Sequence, residues 1–209
     1  LPEQTAVMEM AEASGITLVK ELLNPWKAAS TGVGEMILDA VQKGCRKFII
    51  GIGGSAMTEG GIGMLSALGY DFMDENGDIL PPVFASLEKV VQIENNRVPE
   101  VLKDCHFQIA CDVTNPLCGA QGCVYVFGAQ KGVKEEEKES MDRAMQSYAA
   151  CLEKFTGKKL SEIPGTGAAG GLGFAFLWGL PNVELKPGIA IVLEAVGLAS
   201  EWQDADIGV

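Results

Sequence analysis

The sequence has one histidine, and its six cysteines form no C-x-x-C pair, Cys118 and Cys123 standing closest. That argues against a zinc site of the usual Cys/His spacing and fits free thiols in a reducing cytoplasm, the location expected here. Basic residues are scarce: 16 Lys and Arg face 28 Asp and Glu, a formal charge of −12. Nonspecific nucleic-acid binding needs Lys and Arg to neutralise phosphates, and an anionic membrane surface attracts basic segments, so neither partner is expected. A small anion stays open, because a local site can be positive on an acidic protein. Long apolar runs are also missing. The stretch Ala168 to Leu180 is short for a bilayer and is broken by Gly170, Gly171, Gly173 and Gly179. No start methionine stands at Leu1, and the closing "DADIGV" reads as the beginning of a strand, so the sequence reads as part of a longer chain.

What is present is ordinary for a soluble globular protein: 47% hydrophobic and 21% charged residues over 209 positions, enough for one large or two small domains. Thr5 to Ser14 reads as a helix closed by Gly15, and Ile16 to Val19 as a short strand. In "STGVGEMILDAVQKG", Val33, Met36, Ile37, Ala40 and Val41 follow the helical repeat until Gly44 stops it. Lys47 to Gly51 reads as a strand, Gly53 to Glu59 as a loop and Gly60 to Leu68 as a helix. Asn76-Gly77 between apolar runs signals a hairpin. "CHFQIACDV" reads as a strand with Ile109 and Cys111 on one face. Lys134 to Phe155 reads as a long amphipathic helix closed by Gly157, and further helices are expected near Gly171 to Leu180 and Pro187 to Gly197. The expected fold class is α/β, with two α/β subdomains. One is Rossmann-like with a mainly parallel sheet (1–69 and 161–209); the other is a mixed-sheet insertion (70–160).

Three clusters carry the chemistry. In "FIIGIGGSAMTEGGIGML", a strand feeds a glycine loop and then a helix. Successive N–H groups at Gly53, Gly54 and Ser55 can form an anion nest, with Ser55 and Thr58 adding hydroxyls. A tight turn needing positive φ is the alternative. No lysine makes the loop a Walker A motif, and its glycines are too crowded for the dinucleotide fingerprint. Glu59 could be a metal ligand or a first-turn acid favoured by the helix dipole. In "CDVTNPLCGAQGCVYVFGAQKG", Asp112 and Asn115 follow a strand end, where ligands of open α/β sheets gather. They could hold Mg²⁺ or orient a hydroxyl, with the aspartate as base, or form an Asx-turn and helix cap. Lys131 could neutralise a phosphate or be a plain surface lysine. In "PGTGAAGGLG", Gly167, Gly170 and Gly171 offer another nest, or close helix packing, which that segment alone favours. His106 reads as structural.

These clusters, in this order, resemble the bacterial glycerate kinase family that includes the glycerate 2-kinases. "STGVGEMI", the glycine loop, the Cys111 to Gly132 segment, "PGTGAAGGLGFA" and "LKPGIAIVLEAVG" carry the resemblance over nearly all 209 residues. The resemblance implies ATP- and Mg²⁺-dependent transfer of a phosphoryl group to a hydroxyl of glycerate, in a cleft between two α/β domains. It matches at Gly53, Gly54, Ser55, Gly60 and Gly61; at Asp112, Asn115, Pro116, Gly119, Gln130, Lys131 and Gly132; and at Gly167, Gly170 and Gly171. The family's Thr-Asn-Asp is Met57-Thr58-Glu59 here. An N-terminal Asp-Ser-Phe-Lys-Gly-type motif and a C-terminal Gly-Glu-Gly motif are missing, so a middle fragment, inactive alone, is expected. Asp112, Asn115 and Lys131 are thus the expected catalytic residues. Gly53, Gly54, Ser55, Thr58, Gly167, Gly170 and Gly171 are expected to bind the cofactor, and Asp112 and Glu59 the metal. Open sheet edges leave room for a homo-oligomer. Two other readings stand beside this one, a nucleotide-dependent oxidoreductase and a noncatalytic small-acid-binding module.

Overall fold

The computed structural model describes residues 4–19 and 22–202. Strand β1 (Thr5–Glu9) is followed by two single-turn helices, α1 (Ala11–Ser14) and α2 (Ile16–Val19), then by α3 (Thr31–Gln42), β2 (Lys47–Gly51) and α4 (Ile62–Ala67). An antiparallel pair, β3 (Asp71–Met73) and β4 (Gln92–Glu94), precedes β5 (His106–Ala110). Helices α5 (Cys123–Phe127), α6 (Lys138–Thr156) and α7 (Ala168–Gly179) lead to β6 (Val183–Lys186), α8 (Gly188–Ala195) and α9 (Leu198–Glu201). The fold is mixed α/β, with a mainly parallel sheet and a small antiparallel one.

The main sheet has the order β1-β2-β5-β6, all parallel. Alternation explains its sidedness. Phe48 and Ile50 of β2 and Phe107 and Ile109 of β5 point into the core. The rings of Phe48 and Phe107 stack with centroids 4.7 Å apart. Each buried aromatic side chain contributes about 1.5–3 kcal/mol relative to exposure. The other face carries Val7, Ile49 and Gln108 in one register row. β5 comes from the tract 70–160 yet lies between β2 and β6. Helix α3 buries Val33, Ile37, Ala40 and Val41 on the stripe expected from its repeat, and α6 buries Met141, Met145, Tyr148 and Leu152. Among the described residues, no helix is long and apolar enough to cross a membrane.

Four local expectations are corrected. Residues 5–9 form a strand rather than a helix, because β2 offers a ladder from Thr5–Lys47 to Glu9–Gly51. The helical spacing of Ala6, Met10 and Ala13 is split between β1 and α1. Residues 16–19 form a helical turn rather than a strand. Leu18 N–H bonds back to the Gly15 carbonyl, and the pairing nearby among the described residues is the bridge Gly15–Ser55. Asn76-Gly77 does make a turn, with Gly77 at φ +82° and a bridge between Met73 and Ile79. The ladder partner of β3, however, is β4. Phe155, expected on the buried stripe of α6, is 45% exposed and lies against Trp178. The strand expected in "DADIGV" lies outside the described residues.

Candidate active site

The parallel strands β2 and β5 end side by side at Gly51 and Ala110. That carboxyl edge is where ligands of open α/β sheets gather. A cleft of about 290 Å³ occupies it, lined among others by Gly53, Gly54, Ser55, Asp112, Lys131 and Ala169. Residues from all three clusters therefore meet at one place.

The glycine loop is fixed from behind. Ile16 N–H donates to the Gly54 carbonyl at 2.8 Å and Ala56 N–H to the Ser14 carbonyl at 2.9 Å, with Gly54 at φ +69°. The first bond occupies a loop carbonyl and the second the Ala56 donor, and neither uses the N–H groups of residues 53–55. Among the described residues, the N–H groups of Gly53, Gly54 and Ser55 have no protein acceptor. Three consecutive free amides on a cleft wall are the geometry of an anion nest.

Thr58 and Glu59 turn the other way. Both are fully buried, and neither lines the cleft. Oε1 of Glu59 accepts from the Ser30 N–H at 2.8 Å, from the Gly63 N–H at 3.3 Å and from the Ser30 hydroxyl. The Ser30 hydroxyl oxygen in turn accepts from the Met64 N–H at 2.8 Å. Glu59 thus clamps the starts of α3 and α4, whose unsatisfied N–H groups draw the carboxylate inward. Burial pushes its pKa up, partly offset by the bonds from Ser30. Its Oε2, the Thr58 hydroxyl and the buried Tyr148 hydroxyl have no partner among the described residues. A metal role is expected of Glu59 and a cofactor role of Thr58 from the sequence, and neither side chain lines this cleft.

Asp112 is exposed at the cleft rim. Its Oδ1 accepts from the Gly188 N–H at 2.8 Å, at the start of α8. That bond holds the carboxylate in place and leaves the other oxygen free. Asn115 does not orient it. The Asn115 side-chain amide donates to the Gln121 carbonyl at 2.8 Å, and the Asn115 main-chain carbonyl accepts from the N–H groups of Gly165 and Gly167. It ties the second and third clusters together behind the wall.

Lys131 is only 1% exposed, although it lines the cleft. Its Nζ donates to the Met57 carbonyl at 2.7 Å, bracing the glycine loop from below. Desolvation lowers its pKa to about 8, against the opposing pull of Cys123 and Glu59 nearby. It is thus not the surface lysine that its position in the sequence also allowed. Cys123 beside it is pushed up to about 12 by burial and is inert as a nucleophile.

The third cluster packs more than it binds. Gly167, Gly170 and Gly171 are all buried. A β-carbon at Gly170 would lie 2.3 Å from the Met57 carbonyl oxygen, and one at Gly171 2.7 Å from the Gly60 α-carbon. Gly60 N–H donates to the Gly170 carbonyl at 2.9 Å. The glycines let the two loops meet backbone to backbone, and Ala168 and Ala169 reach the cleft instead. Asp142 was also unforeseen; its buried carboxylate accepts from the Gly119 N–H at 2.9 Å and shapes the second loop.

Mg²⁺ suits this site in one mode only. Among the described residues, no three His, Cys, Asp or Glu side chains gather as a cage. Mg²⁺ is, however, commonly held by one or two carboxylates plus substrate phosphates, and the free oxygen of Asp112 provides for that.

The family model for the glycerate kinase family matches residues 1–209. A glycerate kinase of Haemophilus influenzae is 42% identical over 205 residues, covering 98% of this chain and 54% of that protein. A glycerate 2-kinase of Escherichia coli K12 matches at the same identity and coverage. A crystal structure of a glycerate kinase 2 candidate from Salmonella typhimurium LT2 superposes with a TM-score of 0.93 at 39% identity, covering 97% of this chain and 54% of that one. The chain therefore spans about half the length of the relatives it matches.

Proposed function

The chain belongs to the glycerate kinase family, and from that premise we propose that it forms the central part of an ATP- and Mg²⁺-dependent kinase that phosphorylates a hydroxyl of glycerate to give phosphoglycerate. One observation carries the proposal: the free amides of Gly53 to Ser55, the carboxylate of Asp112 and the buried cation of Lys131 all border one cleft.

Phosphoryl transfer asks a protein mainly to position reactants and neutralise charge. At about 290 Å³ the cleft is small for a ligand pocket. It suits a short hydroxy acid and the phosphate end of a nucleotide better than a whole nucleotide. The Gly53 to Ser55 amides hold an anionic group, either the glycerate carboxylate or a phosphate. Lys131 is mostly protonated at neutral pH. It places a desolvated positive charge behind those amides and fixes them through the Met57 carbonyl. Asp112, steadied by Gly188, presents its free oxygen to the acceptor hydroxyl and takes its proton. Holding Mg²⁺ is the alternative use of that same free oxygen, and there the ion would offset phosphate charge in place of the proton transfer. Gly167, Gly170 and Gly171 serve by holding the first loop in place. The activity belongs to a protein of the relatives' length, and the six free cysteines fit a cytoplasmic one.

The test is an ATP-dependent glycerate phosphorylation assay on the full-length protein, with the product position assigned by phosphorus NMR. The expected product is a phosphoglycerate. In the same assay Asp112→Asn lowers kcat by about 100-fold or more without loss of fold. Activity within a few-fold of wild type would remove Asp112 from the chemistry.

A further inference from the structure

Among the described residues, three that are not glycine adopt positive φ: Gln4, Ala169 and Asn182. Asparagine tolerates the left-handed region, whereas alanine there is unusual. Only Ala169 of the three lines the cleft. Its φ and ψ are 52° and 41°, and it opens a left-handed run completed by Gly170 and Gly171. Both of its flanks are pinned. Gly167 N–H donates to the Asn115 carbonyl at 3.0 Å, and the Gly170 carbonyl accepts from Gly60 at 2.9 Å. The chain must turn left-handed between these anchors, and a glycine would do so at no steric cost. Glycine fills neighbouring positions of the same segment, yet alanine stands at 169.

The surroundings of its methyl group give a reason. The lining is mixed. The glycine-loop amides, Asp112 and Lys131 supply polar groups, while Ile16, Val113, Phe127, Ala168 and Ala169 supply apolar atoms. A short acid held by its anionic group on the amides leaves the C–H faces of its carbon chain to apolar atoms of that lining. We propose that Ala169 is a specificity-determining residue whose β-carbon packs on the carbon skeleton of a short hydroxy acid while the glycine-loop amides hold its anionic end. The inference rests on the kinase reading for the identity of that acid. A strained residue at a functional cleft is where such a role is expected.

The experiment uses the full-length protein, glycerate calorimetry and steady-state kinetics on wild type, Ala169→Gly and Ala169→Ser. Ala169→Gly is expected to raise both the glycerate Kd and KM by about fivefold or more while kcat stays within about threefold. Ala169→Ser keeps the β-carbon and is expected to bind within about twofold of wild type. Ala169→Gly matching wild type in Kd and KM, while wild type phosphorylates glycerate, would overturn this inference and leave the kinase reading intact. Equal weakening in both variants would also overturn it, because the β-carbon would then not be the cause. A fall of more than about 10 °C in the melting temperature of Ala169→Gly would assign the alanine to folding instead. Wild type that neither binds nor phosphorylates glycerate would overturn the kinase reading, and this inference with it.

Discussion

Lys131 concentrates the residue-scale physics. A lysine loses several kcal/mol of hydration when buried, and this one recovers part of that through the Met57 carbonyl. Its folded pKa of about 8 lies below the unfolded value near 10.4. Between those pH values the unfolded chain binds more protons than the folded one. Linkage then makes the contribution of Lys131 to stability rise with pH across that window. Anion affinity should move the opposite way, falling as pH climbs through about 8 and the cation is lost. Paired denaturant melts and phosphate-analogue titrations from pH 7 to 10 would show the two opposed trends, and parallel trends would remove Lys131 from the anion site. Lys131→Met should melt no lower than wild type at neutral pH, because the desolvated charge is gone, yet bind the analogue about tenfold more weakly. The burial of Lys131 could not be read from "GAQKG", since it depends on a loop more than seventy positions away.

At the scale of elements, the glycine loop is held by what lies behind it. Glu59 joins the starts of α3 and α4 through Ser30, so Ser30→Ala should cost about 1–3 kcal/mol by removing one of the three bonds to Glu59 and stranding the buried Met64 donor. Chemical denaturation would read that loss, and a cost below about 0.5 kcal/mol would refute the clamp. Strand β2 was legible residue for residue, because an apolar run ending in glycine carries its own signal. β5 and the α3 stripe were legible for similar local reasons. β1 and β6 were not. Parallel strands take their hydrogen bonds from partners far along the chain, β1 from residues 47–51 and β6 from residues 107–110. Nothing local in "TAVME" outweighs its helical spacing. The sequence allows Glu59 as either a metal ligand or a first-turn acid, and its inward turn depends on Ser30, 29 positions earlier.

At the scale of the whole molecule, one face of the main sheet is thinly covered by the described residues. Helix α8 lies on it and buries Ile191, while Ile189 is 63% and Val192 55% exposed, and Val7 of β1 is 60% exposed. A groove of about 720 Å³ runs between the sheet and α8, past Ile49, Gln108 and Ala195. Parallel sheets are normally covered on both faces, so residues 1–209 expressed alone should self-associate. Sedimentation should show a mass that rises with concentration, and Val192→Glu with Ile189→Glu should suppress the rise. A concentration-independent monomer would mean that the exposed face is tolerated.

The central claim is that three consecutive main-chain amides, backed by a buried lysine, hold an anion next to Asp112. The most direct measurement is a proton–nitrogen NMR titration of the ¹⁵N-labelled full-length protein with ATP and, separately, with inorganic tripolyphosphate. The account predicts that the Gly53, Gly54 and Ser55 amide signals move downfield together and saturate, and that Lys131→Met weakens the response. Saturable binding that leaves those three signals unmoved would contradict it.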